Sequence, residues 1–511
     1  MTSAQIGITI SIVAYLAFVI GIGIKCAKGN VDTGDYYLGG RKLGPFVTAM
    51  SAEASDMSSW LLMGLPGVAY LTGIADAGWT AIGLAIGTYV NWLIVAKRIR
   101  RYTAVCQNSI TIPDFFSNRY RDQDKKRLLM AIAAVVIIIF FVPYTASGFA
   151  ACGKLFGTIF GIDYQVAMII SAAVIVFYTA LGGFMAASTS DFWQSIIMTL
   201  ALIVVVAFGL NAAGGLDVVM ENARALPGYL SLTQIHDPVT GTASSYGWLN
   251  SASMLAWGLG YFGMPHILLR FMAIEDENKL ALSRRIATVW VVISMAVSVF
   301  IGIIGYSASK AGSIPVLTGA DSETIIVVFS DMISKYGFIL ALLAGLILAG
   351  ILAATMSTAD SQLLAASSSI SENLLSSFFG IKLSPKGTMM AARISVLAIS
   401  VIGVFLARDP NSSVFGIVSF AWAGFGAAFG PVVLFALFWK RSNFYGALAG
   451  MISGAAMVFI WKYMVRPMGG LWNIYELLPA FIVASVAIVI VSLLTPAPSQ
   501  EIVDEFESVG K

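Results

Sequence analysis

Apolar runs of helical length, each closed by a short polar link, recur along nearly the whole chain. The repetition predicts a set of membrane-spanning helices rather than a soluble core. The first run extends from about Gln5 to Ile24. Lys25 and Lys28 follow it and no basic residue precedes it, the reverse of a secretory leader, so the pattern predicts a retained helix with its N-terminus outside. Runs at 46–72, 79–96, 128–156, 164–184 and 189–212 come next. A polar loop then occupies 213–245, in which Leu216 to Leu226 has the pattern of a short surface helix. A second set lies at 246–272, 281–309, 337–370, 387–407 and 412–438, and two last runs at 444–464 and 473–495 precede an acidic tail.

Two of these runs are irregular. Ala49 to Thr72 holds Glu53, Asp56, a serine cluster and Gly64-Leu-Pro66-Gly67. A carboxylate at membrane depth costs about 2.5–3.5 kcal/mol on insertion scales and normally faces a protein interior or a watery cavity. Broken backbone is tolerated at that depth only where it is buried in protein or lines a cavity. The second set opens in the same way, with Trp257-Gly-Leu-Gly260-Tyr261-Phe-Gly263-Met-Pro265-His266. Interrupted helices at corresponding places in two halves point to a transporter's midplane site. Each set has an odd number of spans, so the two would lie in the membrane with opposite topology. The expected division is an N-terminal helix and link over 1–45, a first inverted repeat over 46–212, an extracellular loop over 213–245, a second inverted repeat over 246–438, and two C-terminal helices with a cytoplasmic acidic tail over 439–511. The expected class is an all-α polytopic membrane protein of about 13 transmembrane helices.

Composition agrees: 58% of residues are hydrophobic, only 11% are charged, and the mean hydropathy is +0.85. The net charge of +3 is small and dispersed, which argues against nucleic acid as a partner. Lys97, Arg98, Arg100, Arg101, Arg119, Arg121, Lys125, Lys126 and Arg127 crowd the link after the third run and mark it as cytoplasmic. The C-terminus then falls on the cytoplasmic side of a cell membrane. Cys26, Cys106 and Cys152 form neither a CxxC pair nor a disulfide framework. Gly153-Lys154 is followed by Leu155 and has no phosphate-loop frame, and no Gly-x-Ser-x-Gly or HExxH occurs. An ATP-driven pump and a hydrolase are therefore disfavoured, and the chain is not expected to be an enzyme.

The candidate chemistry begins with Ala354-Thr-Met-Ser357-Thr358-Ala-Asp360-Ser361-Gln362. On a helix, Ser357 and Thr358 stand three and four residues beyond Ala354, which brings both hydroxyls beside its carbonyl. With the carbonyls of the broken helix near Ala54 and Met57, they would form a shell of about five neutral oxygens, suited to a small hard cation such as sodium. The same spacing also suits hydroxyls that only bond back to their own helix. Trp257, Tyr261 and Pro265 recur every fourth residue on one helical face, as a packing stripe or as aromatic walls for a small cationic ring.

Several longer runs resemble the sodium:solute symporter family. They are Leu38-Gly-Gly-Arg-x-Leu-Gly-Pro45, Ala54-Ser-Asp-Met57 with Trp60-Leu-Leu-Met-Gly-Leu-Pro-Gly67, Trp257 to Ala273, Leu181-Gly-Gly-Phe184, Ala354 to Gln362, and Ala421 to Pro431. They keep the family's order over nearly the whole chain and are specific to its proline branch. The resemblance implies a LeuT-type five-plus-five inverted-repeat core with sodium-coupled uptake of L-proline; the alternative is another small amino acid or a monocarboxylate. It implies a sodium site from the carbonyls of Ala54, Met57 and Ala354 with the hydroxyls of Ser357 and Thr358. It implies a proline pocket at Ser58, Tyr144, Trp257, Tyr261 and Pro265. Asp56 is implied in coupling. Asp191, which also reads as a helix N-cap after Ser188-Thr-Ser, is implied with Ser361 in a possible second cation site, where Asp360 replaces a more usual serine. Glu53 and Ser59 stand where the proline branch often has smaller residues, and His266 reads as a packed helix residue rather than a proton relay.

Overall fold

The computed structural model describes residues 2–27 and 33–510; Lys28, in the basic flank of the first run, lies outside the described residues. With apolar surroundings on all sides, backbone polar groups must find partners within the chain, and helices satisfy that demand locally. The first half contains α1 (Ser3–Ala27), a short α2 (Thr33–Leu38), α3 (Pro45–Asp56), α4 (Leu65–Thr72), α5 (Ile74–Val90), α6 (Ala96–Val105), α7 (Ile112–Arg119), α8 (Leu128–Phe160) and α9 (Tyr164–Ala212). The polar loop holds α10 (Leu216–Arg224), as its pattern predicts, and a small hairpin of β1 (Gln234–His236) and β2 (Ala243–Ser245), which the sequence reading did not anticipate. The second half contains α11 (Trp248–Leu255), α12 (Pro265–Ala273), α13 (Leu280–Lys310), α14 (Ile325–Ser334), α15 (Phe338–Ser368), α16 (Pro385–Leu406) and α17 (Val414–Phe438), followed by α18 (Phe444–Ile460), α19 (Leu477–Leu494) and a terminal α20 (Gln500–Val509).

Among the described residues, ten helices are long and apolar enough to cross a membrane. The run expected at 79–96 is longer, reaching Ile74–Val105 through a π turn at Asn91–Val95. The runs at 164–184 and 189–212 are joined in α9, whose 49 residues would be ~74 Å long if straight. That is more than twice the ~30 Å of a bilayer's hydrocarbon core. The chain instead turns at Gly183, whose φ of 67° and ψ of −174° suit only glycine.

The two irregular segments lie at the centre. In the first, α3 stops at Asp56, Met57 leaves helical geometry (φ −76°, ψ 63°), and a π turn over Trp60–Gly64 leads into α4. In the second, α11 passes into a 3-10 stretch over Ala256–Gly263, Met264 is extended, and Pro265 opens α12. Pro265 suits that first position because its missing N–H would have no helical partner there. The unwound second segment is held against α5 almost backbone to backbone: a Cβ at Gly83 would strike Leu255, and one at Gly87 would strike Gly258.

Candidate functional site

Where α3 ends, its last carbonyls need donors from elsewhere. The Glu53 carbonyl accepts from Met57 N (2.7 Å), and the Asp56 carbonyl accepts from Ser58 N (2.8 Å), Trp60 Nε1 (3.3 Å) and Tyr144 OH (3.4 Å). The Ala54 carbonyl is met from the other half of the protein, by Ser357 Oγ on α15 at 2.8 Å. Ser357 Oγ also lies 3.1 Å from the Ala354 carbonyl, and Thr358 Oγ1 donates to that carbonyl at 3.1 Å. Four of the five residues expected to bind sodium are thus joined across two helices, and the fifth, Met57, ends the same stretch of α3. All five are buried. The oxygens that meet between α3 and α15 are neutral carbonyls and hydroxyls, a donor set that suits a small hard monovalent ion.

Beside this patch is an aromatic cluster. Trp257 is stacked on Tyr475 (centroids 5.0 Å apart) and lies against Phe415 (5.3 Å), Trp60 (5.9 Å) and Trp422 (6.3 Å). Tyr261 OH donates to Asp56 Oδ2 at 2.6 Å, tying the second broken helix to the first. Ser58 Oγ accepts from Trp60 N at 3.3 Å, at the start of the π turn. Ser58, Tyr144, Trp257, Tyr261 and Pro265 are all buried. The expectation that Trp257, Tyr261 and Pro265 share one helical face is corrected: a 3-10 stretch has three residues per turn, so residues four apart point in different directions, and Pro265 belongs to a new helix. Three buried polar atoms here have no hydrogen-bond partner among the described residues: Asp56 Oδ1, Ser59 Oγ and Trp257 Nε1. One acceptor and two donors complement a small zwitterion.

One helical turn from Ser357, toward the face that carries the basic cluster, Arg270 is buried among partners on four helices. Its Nη2 lies 3.1 Å from Asp191 Oδ2 on α9 and 2.5 Å from Ser361 Oγ on α15, its Nε donates to Ser51 Oγ on α3 at 3.0 Å, and its Nη1 donates to the His266 carbonyl on its own α12 at 3.0 Å. Ser51 Oγ also donates to Asp191 Oδ2 at 2.7 Å, and Ser361 Oγ to Asp360 Oδ1 at 3.2 Å. The N-cap reading of Asp191 is thereby corrected. The helix break falls at Gly183, and Asp191 lies inside α9 with its carboxylate turned to a guanidinium. Arg270 thus places a guanidinium at Asp191 and Ser361, two of the residues expected around a second cation.

The larger residue at position 53 is accommodated because Glu53 Oε1 accepts from Trp92 Nε1 (2.8 Å) on the π turn after α5. His266 packs its ring on Phe141 at 5.6 Å. On the other side of the aromatic cluster, Lys154 Nζ and Glu323 Oε2 form a buried pair at 2.8 Å. The Glu323 carboxylate also accepts from Ser413 Oγ (2.7 Å), Val414 N (3.0 Å) and Phe415 N (3.1 Å), fixing Phe415 against Trp257. Sequence reasoning missed Glu323, Phe415, Tyr475 and Asn91, whose Nδ2 donates to the Tyr261 carbonyl at 3.1 Å. Arg270 carried the clearest available signal, a guanidinium within an apolar segment.

Comparison with known proteins gives a consistent picture. The model of the sodium:solute symporter family matches residues 36–454. An osmoregulated proline transporter of Bacillus subtilis is 42% identical over 97% of this chain and 96% of its own. A sodium/proline symporter of Haemophilus influenzae is also 42% identical, over 98% of each chain. Among solved structures, a sodium-coupled sialic acid symporter in a substrate-bound, outward-open state superposes with a TM-score of 0.77 at 17% identity, covering 97% of this chain and 99% of that one, which speaks for the fold alone.

Proposed function

The chain belongs to the sodium:solute symporter family, and from that premise we propose that it is a secondary active transporter that couples the inward movement of sodium to uptake of L-proline. The observation that carries the reading is the oxygen shell shared by the two halves. Ser357 Oγ bonds the Ala54 carbonyl of the first broken helix and lies beside the Ala354 carbonyl of its own. Sodium drawn to Ala54, Met57, Ala354, Ser357 and Thr358 would fix the end of α3. Asp56 is the last residue of α3, Ser58 comes two residues later, and Tyr261 is bonded to Asp56. Ion binding therefore organises the residues around the substrate, and coupling is the free energy of that organisation.

In this reading the proline ring lies against Trp257 and Tyr144. Its secondary ammonium takes the aromatic faces and the free oxygen of Asp56, and its carboxylate takes hydroxyl and indole donors. In this reading the ten long helices, the two broken ones and the first half of α9 are 13 spans, ten of which form the five-plus-five inverted-repeat core. The N-terminus is outside, and the C-terminus is on the basic, cytoplasmic side of a cell membrane. We assign one sodium per proline, because Arg270 already supplies the positive charge at Asp191. One charge crossing about 100 mV contributes about 2.3 kcal/mol. A tenfold sodium gradient adds about 1.4 kcal/mol, and the total of about 3.7 kcal/mol supports roughly 500-fold accumulation.

The test is uptake of labelled proline into proteoliposomes with and without an inward sodium gradient, with unlabelled small amino acids and monocarboxylates as competitors. Sodium-dependent proline uptake that these competitors leave intact is the expected result. Sodium-dependent uptake of a competitor in place of proline would move the substrate within the same fold, and no uptake under any cation gradient would overturn the reading.

A further inference from the structure

On the surface a groove of about 530 Å³ runs between α13 and the second half of α9. Arg285, Val289, Ile293 and Val297 follow one another every four residues along its α13 wall, and Leu202 and Thr199 form the α9 wall. Trp290 Nε1 donates to Thr199 Oγ1 at 2.9 Å and holds the walls together. Val289 is 59% exposed and Ile293 57%, so within a membrane span these side chains face the lipid. From Arg285 to Val297 the wall rises ~18 Å. That is close to the ~15 Å of a single leaflet's hydrocarbon layer.

The Arg285 end is fixed on the basic face of the protein, because the segment leading into α13 is tied to α6 by Arg101 Nη2–Glu277 Oε1 (2.7 Å) and by Arg100 Nε donating to the Ile274 carbonyl (2.8 Å). Arg285 is exposed and has no hydrogen-bond or ion-pair partner among the described residues. An apolar channel one leaflet deep, closed at its cytoplasmic mouth by an unpaired guanidinium, is complementary to a phospholipid with an anionic headgroup. We propose that this groove is a binding site for one anionic phospholipid, with an acyl chain along α13 and the phosphate on Arg285.

The site reaches the transport machinery through Met50. That side chain lines the groove from α3, one turn before Ala54. Ser283 Oγ on α13 also donates to the Pro45 carbonyl at the start of α3, at 2.8 Å. A chain lying in the groove therefore packs against the helix that supplies the sodium carbonyls.

The test is native mass spectrometry of the detergent-solubilised full chain with phosphatidylglycerol or phosphatidylcholine, a readout that requires neither sodium nor proline and stands apart from the transport reading. Arg285→Gln is expected to lower phosphatidylglycerol retention about fivefold, which corresponds to ~1 kcal/mol for one basic contact at the membrane surface. Ile293→Trp, which fills the groove, should remove retention, and Lys382→Gln on the same face should leave it unchanged. Retention of phosphatidylglycerol at the wild-type level in both groove variants would overturn the site. Equal retention of phosphatidylcholine, insensitive to Arg285→Gln, would overturn its selectivity for an anionic headgroup.

Discussion

Removing the Thr358 hydroxyl while keeping the shape of the side chain, as in Thr358→Val, separates ion binding from folding. In the structure Thr358 Oγ1 donates to the Ala354 carbonyl at 3.1 Å, and Ser357 Oγ stands at the same distance from that carbonyl. The substitution therefore leaves the acceptor with another hydroxyl beside it, and its cost to the fold is that of one ordinary hydrogen bond, about 0.5–1.5 kcal/mol. In the proposed site, sodium loses one of about five oxygens in a buried shell. The loss of a polar partner in such a place is about 1–3 kcal/mol, so half-saturating sodium should rise about 5- to 150-fold. Proline uptake measured against sodium concentration in proteoliposomes reads this directly, with protein yield and thermal unfolding as the folding control. Thr358→Ser keeps the hydroxyl and should stay near the wild type. Half-saturating sodium unchanged within twofold in Thr358→Val would refute the placement of the ion between α3 and α15.

Two other substitutions test the buried carboxylates. Tyr261→Phe deprives Asp56 of its 2.6 Å donor; a bond of this charged kind is worth ~1.5–3 kcal/mol, so initial proline uptake per milligram of folded protein should fall roughly 10- to 150-fold. Arg270→Met strands Asp191 without its countercharge, at ~3–5 kcal/mol, so size-exclusion profiles should show little monodisperse protein, whereas adding Asp191→Asn should restore most of it.

The membrane class and nearly every long helix were legible in the sequence because a bilayer leaves few alternatives to a long apolar run. Both broken helices were legible as well, since Gly and Pro beside buried polar groups have few other uses at that depth. The meeting of the Ser357 and Thr358 hydroxyls with the Ala354 carbonyl could be read from spacing because the three lie within one helical turn, where local geometry determines who meets whom. Partners distant in sequence were not legible. Nothing around Asp191 announces that Arg270, 79 residues later, will reach it, and the N-cap pattern at Ser188 to Asp191 pointed elsewhere. Glu323 lies in a link whose composition resembles any solvated loop, and its role comes from meeting the start of α17. The stripe of Trp257, Tyr261 and Pro265 misled because four-residue spacing presumes an α-helix, and the glycines that interleave it allow a tighter 3-10 path.

The cluster around Arg270 bears on a failure to which every coupled transporter is exposed, the passage of ion without cargo. It lies one helical turn from Ser357, on the side toward the basic face. There a single guanidinium on α12 bonds α3 through Ser51, α9 through Asp191 and α15 through Ser361. Parting α3 from α15 on that side breaks at least one of these bonds to the guanidinium, at about 1.5–3 kcal/mol. In the proposed transport cycle the cluster therefore opposes any inward opening that separates these two helices. Slippage on that side would then be limited by how rarely the guanidinium lets go of one helix or the other.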